Sequence, residues 1–369
     1  MVSKDFNWNS AIFKMRKGIL TAHAVYLYIW KSPHMKFLKW SLFIIGLLAI
    51  IYLLGPNPDT PIYSSDFPIT PDSTLLLDDY VRQIEDGHPI KPENEARIVW
   101  QNDSLKKKTP YAVVYLHGFS ASQEEGDPVH VNFAKKFGCN LYLARLAEHG
   151  LDSSDPFINL TAEKYWESAK QALAIGAKLG EKVILMGTST GCTNALQLAA
   201  EYPDKVHALI LYSPNIEIFD PNAPLLNNPW GLQIARLIKK SDHITTADQS
   251  ETYLKYWYGK YRIEGVVALQ EMMETTMKKE LFQKVTQPLL MLYYYKDEAN
   301  QDMVVKVSAM QRMFSDVGTP SDLKRAVAIP NAGNHVIGSH IKSKDIASVE
   351  SETEKFAKDI LAMALLNQQ

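Results

Sequence analysis

The chain has 369 residues, 46% hydrophobic and 22% charged, with a formal net charge of -2. That is room for a full-sized catalytic domain with a large core, and the near-neutral balance lacks the basic excess that a nucleic-acid partner requires. Its two cysteines, Cys139 and Cys192, form neither a CxxC pair nor a Cys/His cluster, which argues against a disulfide framework and a zinc site and for two small buried apolar residues.

The first element in chain order is an apolar run, "FLKWSLFIIGLLAIIYLLG", residues 37 to 55, uncharged from Trp40 onward. It reaches the ~17 to 25 residues needed to cross a bilayer, and no small-x-small cleavage site closes it. Lys14, Arg16, Lys17, Lys31, Lys36 and Lys39 precede it, so the basic flank is expected in the cytoplasm and the rest of the chain on the non-cytoplasmic side. Met35 has the look of a natural start for such an anchor, with the residues before it an upstream extension. The expected organisation is a basic cytoplasmic extension over 1–35, a transmembrane helix or uncleaved signal anchor over 36–55, a Pro- and Ser-rich linker over 56–75, and a folded domain over 76–369.

Within that domain, short apolar runs alternate with helical patterns. "ARIVW", "YAVVYLHG", "NLYLARL", "KVILMG", "HALILYS", "PLLMLYYY" and "KRAVAIP" read as strands, and "YWESAKQALAIGAKLG", "TNALQLAAEYP" and "VSAMQRMFSDVG" as helices between them. This order predicts an α/β fold with a mostly parallel central sheet flanked by helices, whose sites form at the carboxyl ends of the strands. One interval, about 214–286, breaks the alternation with helical segments and is expected to form a lid. Its "YLKYWYGKY" is expected to put Tyr253, Trp257 and Tyr261 on one helical face, followed by Met272, Met273 and Met277. These residues either pack the lid onto the sheet or line an apolar acyl pocket.

The chemistry centres on "GTSTG", residues 187 to 191, a small hydroxyl residue between two glycines at a strand-to-helix turn. A turn that sharp holds its central residue in a strained conformation and exposes it, the geometry of a serine nucleophile at Ser189. A serine hydroxyl needs a base, a group to orient that base and donors for the oxyanion. His335, just past the last strand in "IPNAGNHVIG", is the expected base. Asp297 and Asp302 compete as the orienting acid. Asp302 is preferred because the Val-Val pair that follows it buries the carboxylate under the histidine loop. The backbone N–H groups of Phe119, in "YLHGFS", and Thr190 are the expected oxyanion donors. His149, in "RLAEHG", is expected to fix its loop.

"LHGF", "RLAEHG", "GTSTG", "DMVV" and "NAGNH", in that order and each after a strand, resemble the α/β-hydrolase superfamily over roughly residues 76 to 365. The likeness is greatest to its carboxylesterase, monoglyceride lipase and serine aminopeptidase-like branch, from which the threonines of the elbow and a longer acid loop depart. The resemblance implies Ser189 as nucleophile, His335 as base, Asp302 as acid, and Phe119 with Thr190 as the oxyanion donors. The expected function is a membrane-anchored serine hydrolase that cleaves carboxylic esters of acyl or lipid-like type, with no metal and no cofactor. A peptidase or acyltransferase on the same residues, or a binding protein that has kept the fold, are the alternatives. The expected partners are a small-molecule ester and a membrane, with no nucleic acid; nothing in the sequence bears on oligomeric state.

Overall fold

A computed structural model describes residues 16–19, 21 and 33–366. Most of the basic extension expected over 1–35 therefore lies outside the described residues. The chain divides into two units, Met1–Pro56 and Asn57–Gln369. In the first, helix α1 (Pro33–Leu53) carries the apolar run, and its stretch Met35–Leu53 is long and apolar enough to cross a membrane. None of that stretch is buried.

In the second unit the seven runs read as strands form one sheet. They are β1 (Arg97–Val99), β2 (Thr109–Leu116), β3 (Asn140–Leu143), β4 (Gly180–Thr188), β5 (Ala208–Tyr212), β6 (Leu289–Tyr293) and β7 (Lys324–Ala328), in the spatial order β1-β3-β2-β4-β5-β6-β7. Only β1 runs antiparallel to its neighbour; the other pairs are parallel. Continuous apolar runs suit such strands because both faces are covered. Along β2, Ala112, Val114 and Leu116 enter one core while Val113 and Tyr115 enter the other. Each such fully buried aliphatic side chain contributes on the order of 2 kcal/mol.

Helices cover the two faces unequally. Before the interval between β5 and β6 come α2 (Leu77–Glu85), α3 (Val129–Phe137), α4 (Ala162–Leu179) and α5 (Thr190–Glu201). That interval holds α6 (Gly231–Lys239), α7 (Glu251–Tyr256), α8 (Ile263–Thr276) and α9 (Lys279–Phe282), and α10 (Val307–Asp316) and α11 (Ile346–Asp359) follow it. The apolar residues of α3 and α11 pack on one face of the sheet, those of α4, α5 and α10 on the other.

The strand order locates the site. From β2 the chain crosses to β3 on one side, and from β4 it crosses to β5 on the other. The two loops leaving β2 and β4 therefore part, opening a crevice at their carboxyl ends, where open α/β sheets bind ligands.

Two features differ from the sequence reading. The segment after Pro56 lacks regular structure, as a linker should, yet residues 62–67 are strapped to the domain. The Trp166 indole N–H donates to the Ser64 carbonyl at 2.8 Å. The buried Lys170 ammonium donates to the Ser64 and Asp66 carbonyls at 3.0 and 2.8 Å. A buried ammonium must be partnered, and these carbonyls partner it. The interval expected to form a lid also contains a two-stranded ribbon, His243–Thr245 against Lys260–Arg262, that was not expected. It breaks the helical face drawn through Tyr253, Trp257 and Tyr261, because α7 ends at Tyr256 and Tyr261 lies in the ribbon. Tyr253 and Trp257 do stack, with centroids 5.3 Å apart, but Tyr261 packs instead on Phe119 and Phe157. Met272 and Met273 are buried in the main core, which is the packing role of the two weighed.

Candidate active site

Strand β4 ends at Thr188 and α5 begins at Thr190, leaving Ser189 alone in the turn. Its backbone angles, φ 53° and ψ -118°, are strained for a residue with a Cβ. Neighbouring hydrogen bonds hold it there. The Ser189 N–H donates to the Tyr212 carbonyl at 2.9 Å, and its own carbonyl accepts from Cys192 and Asn215 at 3.0 and 3.1 Å. The flanking glycines are needed for closeness. A Cβ on Gly191 would lie 1.9 Å from the Leu116 carbonyl oxygen, and one on Gly187 2.9 Å from the Gly191 carbonyl carbon. Helix α5 thus starts against the end of β2, bringing Ser189 beside the turn His117–Phe119.

That turn is fixed by two neutral histidines. The His117 ring accepts from the Leu146 N–H at 3.0 Å through Nε2 and donates from Nδ1 to the Gly118 carbonyl at 2.9 Å. Burial pushes its pKa down to about 4, against the opposing hydrogen bond to Gly118. His149 lies 4.9 Å away, ring centre to ring centre, and burial with the adjacent His117 pulls its pKa well below the ordinary value. Its Nδ1 bonds the Ala147 carbonyl at 2.8 Å, within its own loop. The Phe119 side chain is held by His149, Phe157 and Tyr261. Among the described residues, the Phe119 and Thr190 N–H groups have no acceptor. Two unpaired donors beside a serine can bind an oxyanion.

His335 sits in the loop after β7, and its Nδ1–H donates to Asp302 Oδ2 at 2.5 Å. Asp302 is buried, and its Oδ1 accepts from the Val304 and Val305 N–H groups at 2.9 and 3.1 Å. These bonds fix the carboxyl in place and satisfy the oxygen that does not face His335. Burial alone would pull the His335 imidazole down. The Asp302 charge and its hydrogen bond outweigh it and leave the pKa above 6.5. Among the described residues His335 Nε2 is buried without a hydrogen-bond partner. Asp297 is elsewhere: exposed, and tied to Asn300 and Ala299 in its own turn. The chain therefore brings Ser189, Thr190, Phe119, His335 and Asp302 to one end of the sheet and leaves Asp297 out.

The family model for the alpha/beta hydrolase fold matches residues 111–312, more than half of the chain. The chain belongs to this family. Solved structures of similar fold surround this α/β-hydrolase. One is described with LipS and LipT, two metagenome-derived lipolytic enzymes, at TM-score 0.58 and 15% identity over 73% of this chain and 99% of that one. Another is a monoacylglycerol lipase of Paleococcus ferrophilus, at TM-score 0.52 and 13% identity over 72% and 98%. A third is Est1E of Butyrivibrio proteoclasticus with ferulic acid bound, at TM-score 0.50 and 20% identity over 73% and 95%. No curated protein matches the sequence.

One residue of this α/β-hydrolase site escaped the sequence reading. Glu125, in "QEEG", is buried beside Gly118 and accepts its N–H at 2.5 Å. Two adjacent glutamates in a polar stretch read as solvated charge. The one available cue was their position, a few residues after "HGF".

Proposed function

We propose that this α/β-hydrolase cleaves carboxylic esters of acyl or lipid-like type through an acyl-enzyme on Ser189, and that α1 anchors it in a membrane. The observation that carries the reading is the 2.5 Å bond from His335 to buried Asp302 at the sheet end that also bears the strained Ser189. Ser189 Oγ attacks the ester carbonyl carbon while His335 Nε2 takes its proton. Asp302 steadies the resulting imidazolium through Nδ1–H. The oxyanion is received by the Phe119 and Thr190 N–H groups, each worth on the order of 3 kcal/mol in serine hydrolases. Collapse expels the alcohol, which leaves with the proton held by His335. A water, deprotonated by the same imidazole, then attacks the acyl carbon; the Oγ–acyl bond breaks, Ser189 Oγ takes the proton back from His335, and the acid is released. The fold neighbours named as lipolytic enzyme, monoacylglycerol lipase and esterase are in keeping with an ester substrate.

The deciding experiment is labelling by a fluorophosphonate, which reacts only with an activated serine, together with a panel of acyl esters of increasing chain length beside aminoacyl amides. Labelling at Ser189 with turnover of esters is expected. Labelling with turnover of amides alone would make the enzyme a peptidase, and no labelling would leave a binding protein.

The anchor has its own test. The full chain is expected to fractionate with membranes, and the chain lacking residues 1–55 to be soluble and still labelled, because the uncharged run ends at Gly55. In whole cells the hydrolase domain is expected to be open to protease from the non-cytoplasmic side. Recovery of the full chain in the soluble fraction would remove the anchor, and cleavage only from the cytoplasmic side would reverse its orientation.

A further inference from the structure

Glu125 has no part in the chemistry above, yet its carboxyl lies at the centre of the site. A Cβ built on Gly118 would stand 2.9 and 3.0 Å from the two Glu125 carboxyl oxygens and 3.0 Å from Ser189 Cβ, so the carboxyl and Ser189 Cβ are no more than about 6 Å apart. The Gly118 N–H donates to Glu125 Oε2, and Gly118 directly precedes Phe119. The short turn Gln123–Gly126 that carries Glu125 is itself braced. The Gln123 carbonyl accepts from His130 Nε2 at 2.8 Å, and the Glu124 carbonyl accepts from Ser339 Oγ at 3.1 Å, from the loop that carries His335. The turn Gln123–Gly126 thus joins the turn after β2, through Glu125, to the histidine loop, through the Glu124 carbonyl.

We propose that Glu125 is a positioning residue for the oxyanion turn, holding Gly118 through its carboxyl so that the Phe119 N–H stays aimed, and that it serves as the neutral acid. This rests on the ester-hydrolase reading of Ser189. The charge argument is direct. An ionised carboxylate this close to Ser189 would oppose the negative oxygen that forms in the transition state, in a water-poor site where charges are weakly screened. Neutrality removes that opposition while the carbonyl oxygen still accepts from Gly118. The surroundings favour it. Among the described residues no lysine or arginine pairs with Glu125, and the titratable groups facing it are Tyr115 from β2, Tyr165 from α4, Cys192 from α5, Tyr253 from α7 and His335. Burial pushes the Glu125 carboxyl up to about 8, although the Gly118 bond and the charge of His335 pull the other way.

The test compares wild type, E125A and E125Q as full chains. E125A is expected to lower kcat about 10²-fold with little change in KM, the loss of one misaimed donor. E125Q, which keeps a neutral acceptor, is expected to recover most of it. Wild type should lose kcat as pH rises through about 8, and E125Q should not. A second arm needs no substrate. Because the folded-state pKa stands above the ordinary 4.5, the stability this group contributes is present below pH 4.5 and is lost as pH rises toward 8. The melting temperature of wild type should therefore fall relative to E125Q across that window. A kcat for E125A equal to wild type, an alkaline limb that E125Q keeps, or parallel melting curves would each overturn the assignment while leaving Ser189 chemistry intact. A wild type that neither hydrolyses esters nor reacts with a fluorophosphonate would overturn the underlying reading, and with it the positioning role, even if the melting curves diverge as expected.

Discussion

Ser189→Ala is expected to lower ester turnover about 10⁶-fold, His335→Ala to cost about as much, and the double variant hardly more. The equality follows from the two groups acting as one unit. Without Oγ there is nothing to deprotonate, and without the imidazole the hydroxyl stays a weak nucleophile. The structure adds a reason to expect the alanine variants to fold. Ser189 is held through backbone bonds to Tyr212, Cys192 and Asn215, none of which needs its hydroxyl. His335 Nε2 has no partner to lose, although His335→Ala does leave Asp302 Oδ2 without the Nδ1–H. Rates should be read beside melting temperature, with residual activity compared against a preparation carrying both changes. Additive losses would mean that serine and histidine act separately. Wild-type turnover by Ser189→Ala, in material free of other esterases, would end the nucleophile reading.

The parts of this molecule that were legible in its sequence are those where one physical demand acts on consecutive residues. Parallel strands buried on both faces are largely apolar, and the inner strands β2 to β6 are such runs. The turn at Ser189 was legible because only glycine tolerates the approach of α5 to β2, where a Cβ on Gly191 would overlap the Leu116 carbonyl. The burial of Asp302 was legible in part, since the Val304 and Val305 N–H groups that grip it follow it directly. What stayed hidden depends on tertiary partners. The ribbon His243–Thr245 with Lys260–Arg262 has three residues a side and no alternation to read. The strap over residues 62–67 is set by Trp166 and Lys170, more than a hundred positions away. Glu125 carries a surface residue's chemistry and is buried only because the turns around Gly118 and His335 close over it. Helix α3 is a different case. Val129, Phe133 and Phe137 recur at the spacing of a helical face and could have been read.

Asp302→Asn is expected to lower turnover about 10⁴-fold, less than loss of Ser189 or His335, because nucleophile and imidazole remain. The asparagine amide can no longer balance an imidazolium, and an N–H turned toward Nδ1 would hold the ring in the tautomer whose Nε2 already carries a proton. Asp297→Asn should change turnover by less than about twofold, since Asp297 bonds only within its own exposed turn and surface substitutions of that kind are near neutral. The pH dependence separates a chemical effect from a general loosening of the fold. His335 works as a base only when neutral, so activity falls as pH drops through its pKa. In wild type that acid limb should lie above pH 6.5, because the Asp302 charge and hydrogen bond outweigh burial. Removing the charge leaves burial as the dominant influence, and the limb of Asp302→Asn should move to lower pH while its plateau stays depressed. Asp297→Asn should keep the wild-type limb. A large loss at Asp297 with a small one at Asp302 would transfer the acid to the turn after β6. A depressed plateau in Asp302→Asn with an unmoved limb would mean that Asp302 holds the loop and does not tune the base.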